Sequence, residues 1–335
     1  MSAADDTPFS ALTPDCILSA LEGLGIPCDG RLLALNSYEN RVWQVGVDAD
    51  DPAARFCVAK FYRPGRWSEA AILEEHGFLA ELAEEDLPVV PPLTLAGRTL
   101  HRSGVYPVAV FPRRGGRAPE LDDPDCLRWM GRLLGRIHQV GRRHPHAHRL
   151  HLDPVRFGEE PRAFVLAGSW VPPELLDAYA SVSEQALEAV RQCFERAGGV
   201  SVIRLHGDCH AGNVLWTDAG PHFVDFDDTL NGPAIQDLWM LLSGDEHAMA
   251  RQLDTVLEGY ECFARLDPRE LHLVEALRTL RLLHYSAWLA RRWADPAFPA
   301  AFPWFASPRY WQDQILALRE QIALMAESPL VRLMA

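Results

Sequence analysis

The hydrophobic and polar positions of the chain change their period several times, and each change predicts a different element. Thr13 and Pro14 form a helix-start pair, and apolar residues then recur at helical spacing up to a Gly-Leu-Gly stretch, which predicts a short N-terminal helix. Apolar and polar residues alternate between 31 and 62, with polar turns at 36–40 and 48–51. A period of two is typical of strands, so this segment predicts three antiparallel strands.

A helix that begins after Ser68 follows these strands, and three prolines close together prevent its continuation. Two further strands are predicted around residues 93–100 and 105–111. After Gly116 the apolar spacing is mostly helical, except at 202–228, where two short apolar strands flank a polar loop. The predicted helix after Ser68 has one face formed by Ala71, Glu75, Phe78, Leu79 and Leu82.

This pattern predicts an α+β protein with two lobes of unequal size. The first lobe, residues 1–112, is a small antiparallel sheet with one prominent helix, and the second, residues 113–335, is helical and contains the polar loop. The chain has 335 residues, 48% of them hydrophobic, which is enough to bury the cores of about two domains.

Charge and composition exclude several classes of function. The chain has 32 Lys and Arg against 46 Asp and Glu, a net charge of −14, which opposes non-specific binding to nucleic acids or anionic membranes. The sequence shows neither a membrane-spanning stretch nor a signal peptide, so we expect a cytoplasmic protein. The seven cysteines form no C-x-x-C pair and are odd in number, which indicates neither a zinc site nor a disulfide framework.

Candidate chemistry is concentrated in LHGDCHAGNVLW at residues 205–216 and FVDFDD at 223–228. Asp208 is followed five residues later by Asn213, and Asp225 comes twelve residues after that. Phosphoryl transfer requires a carboxylate that orients the attacking hydroxyl and takes its proton, and oxygen ligands for Mg²⁺. A polar hairpin whose Asp and Asn only satisfy turn hydrogen bonds is the structural alternative.

These motifs resemble the bacterial stress response kinase A family, within the aminoglycoside phosphotransferase and choline kinase superfamily. The resemblance covers nearly the whole chain and implies a protein-kinase-like fold. The segments that carry it are LNSYENRV at 35–42, KFYRP at 60–64, RLHGDCHAGN at 204–213, NGPA at 231–234 and RRWADPAFP at 291–299.

The resemblance implies a role for each of these residues. Asp208 and Asp225 would be catalytic, and Asn213 and Asp225 would bind the metal. Lys60 lies on a predicted strand and would contact the phosphates of the nucleotide. Its partner on the following helix would be Glu75, on the buried face, although Glu74 stays open as an alternative.

The nucleotide-binding loop differs from glycine-rich patterns. The sequence contains neither G-x-G-x-x-G between the first strands nor G-x-x-x-x-G-K-[ST], which excludes Rossmann and P-loop folds. Instead, we expect the turn at 36–40 to bring the Ser37 hydroxyl and backbone N–H groups towards the terminal phosphates of the nucleotide. The alternative is an ordinary turn without a role in binding. By resemblance, Phe111 begins the connector that binds adenine.

The segment after Asp225 also differs from that of eukaryotic protein kinases. Asp227 or Asp228 could share the metal, because acidic residues follow Phe226 where such a kinase has glycine. The stretch from 225 to 237 is too short for a long activation segment. Asp237 begins an apolar helix and by resemblance braces the catalytic loop.

Other polar and aromatic residues favour structural interpretations. Cys209 is either a redox-sensitive thiol or, more simply, a buried inert one. The aromatic residues between Trp293 and Trp311 could bind a ligand, but their prolines favour a packed C-terminal segment. A solvated loop rather than a metal cluster is indicated by the alternating His144, His146, His148 and His151. Two further histidines are expected to support the catalytic loop, His206 and His210.

The sequence therefore predicts an ATP-dependent serine/threonine protein kinase with Mg²⁺ as cofactor, monomeric, with a protein hydroxyl as acceptor and possible autophosphorylation. Two alternatives stay open: a kinase of small alcohols such as aminoglycosides, choline or homoserine, and a nucleotide-binding module without catalysis. An acidic chain must still hold a polyanionic nucleotide, so Lys60, the turn around Ser37 and Mg²⁺ have to supply local positive charge.

Overall fold

The computed structural model describes residues 8–329, apart from the side chain of Ala53. Its residues divide into two compact units. The first contains the described residues up to Pro119 together with Gly212–Asp227, and the second contains Glu120–Ala211 and the residues from Asp228 onward. The lobe boundary predicted after residue 112 stays a prediction.

The first unit is built on an antiparallel sheet of five strands in the order β1-β2-β3-β5-β4. Its first three strands confirm the alternation found between residues 31 and 62. The core on one face of the sheet contains Ile17, Val45 and Phe61, all fully buried. The strands are β1 (Cys28–Leu35), β2 (Arg41–Val47), β3 (Phe56–Phe61), β4 (His101–Ser103) and β5 (Tyr106–Pro112).

Two helices accompany this sheet, and both begin where the sequence predicts. The side chain of Thr13 caps α1 (Pro14–Glu22), and the side chain of Ser68 caps α2 (Glu69–Glu84). The predicted apolar face of α2 is buried, and Glu75 lies on it.

The strand predicted at residues 93–100 is wrong. Leu95 and Arg98 pair only across a tight turn, in which Ala96 and Gly97 have φ angles of 47° and 77°. Backbone in the left-handed region cannot continue a strand. The strand at this edge of the sheet, β4, therefore begins only at His101.

A hairpin of β7 (Val214–Thr217) and β8 (Gly220–Phe223) also belongs to the first unit. Isolated backbone bridges join it to Val89 and Arg117 of the same unit. The predicted block at 202–228 thus contains three short strands rather than two, because β6 (Ile203–Leu205) precedes the loop and lies in the second unit.

The second unit is helical, as predicted, with β6 paired antiparallel to β9 (Leu230–Gly232). Two of its helices pack closely because glycines face the neighbouring backbone: a Cβ at Gly131 or Gly259 would overlap backbone atoms of the other helix. The helices are α3 (Pro124–Gly141), α4 (Glu160–Ala167), α5 (Pro173–Ala197), α6 (Ile235–Trp239), α7 (Glu246–Tyr260), α8 (Val274–Arg292), α9 (Ala297–Ala301) and α10 (Pro308–Ala326).

The C-terminal aromatic residues form a packed cluster. Trp311 is fully buried and contacts Tyr179 edge to face, whereas Trp304 remains 42% exposed beside Tyr310. Within residues 8–329, no helix combines the length and the apolar character needed to cross a membrane.

Candidate active site

Lys60 is the centre of a buried charged cluster in the first unit. It lies on β3 opposite Val42 of β2 and Ala109 of β5, and its side chain is 6% exposed. Its Nζ atom is 3.4 Å from Oε1 of Glu75, 3.3 Å from Oδ1 of Asp225 and 3.0 Å from Oδ1 of Asp227. The structure thus pairs Lys60 with Glu75, on the buried face of α2, where the sequence left Glu74 open.

The charges around Lys60 keep it protonated. Burial by itself would lower the pKa of the Lys60 ammonium, but the carboxylates of Asp227 and Glu75 outweigh this effect and raise that pKa well above its usual range. Lys60 is therefore a permanent cation in the interior of the first unit, and its contact with phosphate stays a prediction.

Asp227 is the carboxylate that connects the cluster to the turn at residues 36–40. Its side chain is 5% exposed, and Oδ2 accepts a hydrogen bond of 3.0 Å from Nδ2 of Asn40 and another from Arg66. Sequence reasoning assigned no role to Asn40 or Arg66. The only signal was their position, since one lies in LNSYENRV and the other directly follows KFYRPG.

The turn at 36–40 is held by two arginines that come after it in the chain. Arg63 donates to the carbonyl oxygens of Glu39 and Tyr38, at 2.9 and 3.2 Å, and pairs with the Glu39 carboxylate at 3.0 Å. Arg41 also donates to the Tyr38 carbonyl, at 3.1 Å. Ser37 is half-buried within this turn, and its contact with phosphate stays a prediction.

Phe111 lies on β5, opposite Val58, rather than in a connector after the last strand. Its ring is half-buried and packs edge to face against His76. The strand extends through Pro112 because its ladder to β3 continues that far. The adenine-binding role of Phe111 stays a prediction.

Asn213 and Asp225 occupy the open end of the β7–β8 hairpin. Val214 pairs with Phe223, and the carbonyl of Asn213 accepts a hydrogen bond of 3.0 Å from the Val224 N–H, so Asn213 and Asp225 flank the same end. Asp225 has a φ angle of 60°, and its side chain is 54% exposed. The hairpin register thus brings the backbones of two residues that are twelve positions apart to the same end of the hairpin.

This end of the hairpin fits a divalent cation. An amide oxygen and a partly exposed carboxylate are the hard ligands that Mg²⁺ prefers. Three carboxylates, Glu75, Asp225 and Asp227, face two cations, Lys60 and Arg66, which leaves one negative charge in excess. This excess negative charge would repel a triphosphate unless a metal ion neutralised it. Asp227 is buried and bonded to Lys60, Arg66 and Asn40, whereas Asp225 is 54% exposed and pairs with Lys60 alone among these three; its role as a metal ligand stays a prediction.

Asp208 belongs to the second unit and has partners of a different kind. Its Oδ1 accepts a hydrogen bond of 2.7 Å from Nη1 of Arg281, on α8, and its Oδ2 lies 3.4 Å from Nε2 of His210. Burial would raise the pKa of the Asp208 carboxyl, but the His210 hydrogen bond and the charge of Arg281 together hold it well below its usual range. Asp208 is therefore ionised, and sequence reasoning missed Arg281.

The backbone before Asp208 is braced by Asp237, which lies within α6 rather than at its start. The fully buried carboxylate accepts hydrogen bonds from the N–H groups of His206 and Gly207, at 2.8 and 2.9 Å. Its Oδ2 is also 3.1 Å from Nε2 of His138, on α3. Gly207 has a φ angle of 88°, and a Cβ there would overlap the carbonyl of Asp228.

Cys209 and His206 are interior residues of this loop. Both side chains are fully buried. Burial, together with Asp237 and Asp208, raises the pKa of the Cys209 thiol well above its usual range, so the thiol is protonated and unreactive. His206 Nδ1 accepts a hydrogen bond of 3.3 Å from the Asp208 N–H, so its ring supports the loop.

The histidines after α3 do not form a solvated loop throughout. His146 is buried, and its ring bonds to Thr229 at 3.0 Å while its N–H donates to Asn231 at 2.9 Å. His144 and His148 are exposed. In the described part of the chain, no three His, Cys, Asp or Glu side chains group as a metal site would require.

The model of the "Phosphotransferase enzyme family" matches residues 31–274 of the chain. The chain belongs to this family. It is a phosphotransferase, and the matched region includes the Lys60 cluster, Asp208 and the β7–β8 hairpin. Helix α1 and the first residues of β1 precede the match, and α8 beyond its first residue follows it, together with α9 and α10.

Relatives named as kinases match nearly the whole chain. Stress response kinase A of Escherichia coli (strain K12) is 45% identical over 322 residues, and "Serine/threonine protein kinase RdoA" of Salmonella typhimurium is 46% identical over the same length. In both cases the alignment covers 96% of this chain and 96% of the relative. The resemblance found in the sequence is confirmed.

Solved structures confirm the kinase-like fold. Amicoumacin kinase in complex with AMP-PNP and Ca²⁺ has a TM-score of 0.69 at 16% identity, with 94% of each chain covered. A microcompartment-associated aminopropanol kinase has a TM-score of 0.68 at 20% identity, with 92% of this chain and 96% of that chain covered.

Proposed function

We propose that this phosphotransferase is an ATP-dependent protein kinase that phosphorylates serine or threonine hydroxyls. The observation that carries the proposal is the buried Lys60, protonated and held by Glu75 and Asp225, in a chain that is 46% identical to a named serine/threonine protein kinase. The cluster supports nucleotide binding, and the relative's name supports a protein acceptor.

The phosphates of ATP would be bound by residues of the first unit. Lys60 is a fixed cation whose position is set by Glu75, so it is suited to hold phosphate oxygens without reorganisation. Asn213 and Asp225 would hold Mg²⁺, which when bound neutralises phosphate charge. The turn at 36–40 is fixed by Arg63 and would place Ser37 and its backbone N–H groups beside the terminal phosphate.

Asp208 would orient the acceptor hydroxyl. In the transfer, the hydroxyl oxygen forms a bond to the γ-phosphorus, the bond from that phosphorus to the β-γ bridging oxygen breaks, and ADP leaves. The hydroxyl proton passes to Asp208. A carboxylate with a lowered pKa is a weak base, which suits a loose transition state where orientation matters more than early proton removal.

Substitution of the proposed base tests this function. Asp208→Asn should lower the transfer of labelled γ-phosphate from ATP to protein by about 10²–10⁴-fold, because the amide orients the hydroxyl poorly and takes no proton. The measurement is label in the protein fraction of a cell extract and on the kinase itself, with Mg²⁺ present. Thermal unfolding of the same samples shows whether the variant is folded.

Asp218→Asn is the matched control, since it makes the same chemical change at an exposed turn of the β7–β8 hairpin. It should label protein as the unmodified chain does. Full labelling by Asp208→Asn would contradict the proposal.

A small hydroxyl compound is the second candidate acceptor. The observation that favours it is the likeness of fold to an aminopropanol kinase and an amicoumacin kinase. The same labelling experiment separates the two candidates. Asp208-dependent label in the metabolite fraction, with none in protein, would replace the protein acceptor by a small molecule.

A further inference from the structure

Arg281 contacts the carboxylate that the proposed function uses as its base. Its Nη1 is 2.7 Å from Oδ1 of Asp208, and both residues lie in the second unit. The contact is made through one nitrogen of the guanidinium, and 47% of the Arg281 side chain is exposed. A fixed positive charge therefore stands at the place where an acceptor hydroxyl must meet Asp208.

The helix that carries Arg281 is basic in an acidic protein. The sequence of α8 contains four arginines and one glutamate, whereas the chain as a whole has a net charge of −14. Arg278 pairs with that glutamate, Glu275, at 3.4 Å, and Arg291 lies 4.9 Å from the centre of the Phe164 ring. Arg281 instead points its charge at the catalytic loop.

The charged partners of Asp208 determine the electrostatic environment of an acceptor that binds there. His210 also lies beside the carboxylate, at 3.4 Å, and its side chain is 41% exposed. A hydroxyl bonded to Asp208 would lie a few ångströms from the guanidinium. Charges on the acceptor next to that hydroxyl would therefore interact with Arg281 at short range, where solvent screens them only partly.

We propose that Arg281 selects the acceptor by charge: it favours a hydroxyl with a carboxylate close to it, such as a serine or threonine flanked by Asp or Glu, and disfavours a cationic acceptor. A guanidinium binds carboxylate through paired hydrogen bonds and repels an ammonium group. This inference rests on the proposed function of Asp208 as the base. It names the acidic peptide as the acceptor class.

The alternative role of this contact is obstruction, in which Arg281 blocks Asp208 and has to leave before any acceptor binds. The two possibilities differ in what removal of Arg281 does. Loss of a selector changes the ratio between acidic and basic acceptors, whereas loss of an obstruction raises the rate for both acceptors alike.

The experiment compares two serine peptides that are identical except for the flanking residues, which are Asp in one and Lys in the other. In the unmodified chain, kcat/KM should be at least about tenfold higher for the acidic peptide. Arg281→Gln should reduce this ratio at least about tenfold, and Arg281→Glu should reverse the preference. The small acceptors N-acetylserine and serinamide provide the same comparison of charge without a peptide.

Arg291→Gln is the matched control. It removes the same charge from the same helix, ten residues further along, which is about 15 Å along the axis at 1.5 Å per residue. The ratio between the two peptides should not change in this variant. An equal change in both arginine variants would mean that only the overall charge of the helix matters and would overturn the proposal.

Equilibrium binding of both peptides, with ADP present, gives the ratio without turnover. An unchanged ratio in Arg281→Gln, or an equal rise in both rates, overturns the role of Arg281 even where Asp208→Asn abolishes transfer. Conversely, phosphoryl transfer that survives Asp208→Asn overturns the proposed function. The ratio of the binding constants of the two peptides then still decides whether Arg281 discriminates between acceptors by charge.

Discussion

The two charged clusters of this protein differ in how far water reaches them. Around Lys60, the side chains of Glu75 and Asp227 are 1% and 5% exposed. Around Asp208, which is itself 24% exposed, the side chains of Arg281 and His210 are 47% and 41% exposed. One cluster is built into the interior, and the other is open to solvent.

Burial determines what each cluster can do. Charges removed from water must have partners, because an unpaired buried charge is expensive, so the Lys60 cluster keeps its geometry before any ligand arrives. An exposed ion pair contributes little to stability, and it exchanges partners at little cost. The first arrangement suits a nucleotide that is the same in every reaction cycle, and the second suits an acceptor whose surroundings vary.

The largest predicted effect comes from breaking the buried cluster. Asp227→Ala should lower the free energy of unfolding by about 3–5 kcal/mol, because Lys60 and Arg66 lose a shared buried partner. Asp225→Ala removes a carboxylate at a similar distance from Lys60, but one that is 54% exposed, and should cost less than about 1 kcal/mol. Urea unfolding of the two variants makes the comparison. Equal losses would show that exposure does not separate these two carboxylates.

Glu270 sharpens the comparison, since it is a carboxyl as buried as Glu75, 1% exposed, but its hydrogen bonds come from backbone N–H groups. It accepts a hydrogen bond of 2.9 Å from the N–H of Ile235 at the start of α6. Burial outweighs this bond and raises the pKa of Glu270 from 4.5 to about 7. Between about pH 4.5 and pH 7, Glu270 thus stays protonated in the native state, whereas in the unfolded chain it has already lost its proton.

The contribution of Glu270 to the stability of the protein should therefore fall as the pH rises from about 4.5 to about 7, since the native state then binds more protons at this group than the unfolded state does. At about 1.4 kcal/mol per pH unit, the contribution of Glu270 over this range is about 3 kcal/mol. Glu270→Gln should remove that part of the pH dependence, as measured by urea unfolding at pH 5 and pH 8. Glu320→Gln, at an exposed position on α10, is the control and should leave it in place.

The smallest predicted effect belongs to the exposed cluster. Arg281→Gln should change the free energy of unfolding by less than about 0.5 kcal/mol, because a pair with a half-exposed partner gains little over its hydrated components. Thermal unfolding in 0.1 M and 1 M salt measures it. A loss above about 2 kcal/mol would mean that Arg281, on α8, is a structural partner of the loop that contains Asp208.

Local signals account for the elements that the sequence predicted well. Thr13 and Ser68 cap α1 and α2, and the alternation between residues 31 and 62 gives three strands, because both signals act between neighbours in the chain. The strand expected at 93–100 was wrong because Ala96 takes a left-handed conformation, which no apolar pattern indicates.

In the candidate site, too, the sequence predicted the features that depend on local motifs and missed those that depend on distant partners. The spacing of Asp208, Asn213 and Asp225 and the resemblance to a kinase family were sufficient to name the chemistry, and the pattern of α2 favoured Glu75 as the partner of Lys60. The burial of His146 was missed because its partners, Thr229 and Asn231, come more than eighty residues later.

The sequence by itself determined the family, the phosphotransferase chemistry and the local elements, since these depend on short motifs and on the period of apolar residues. Only the tertiary structure decided which charges meet. Asn40 bonds to Asp227 across 187 positions of the chain, and Arg281 bonds to Asp208 across 73. Such pairs arise when packing of the hydrophobic core brings distant elements together, and no periodicity within either element specifies the partner.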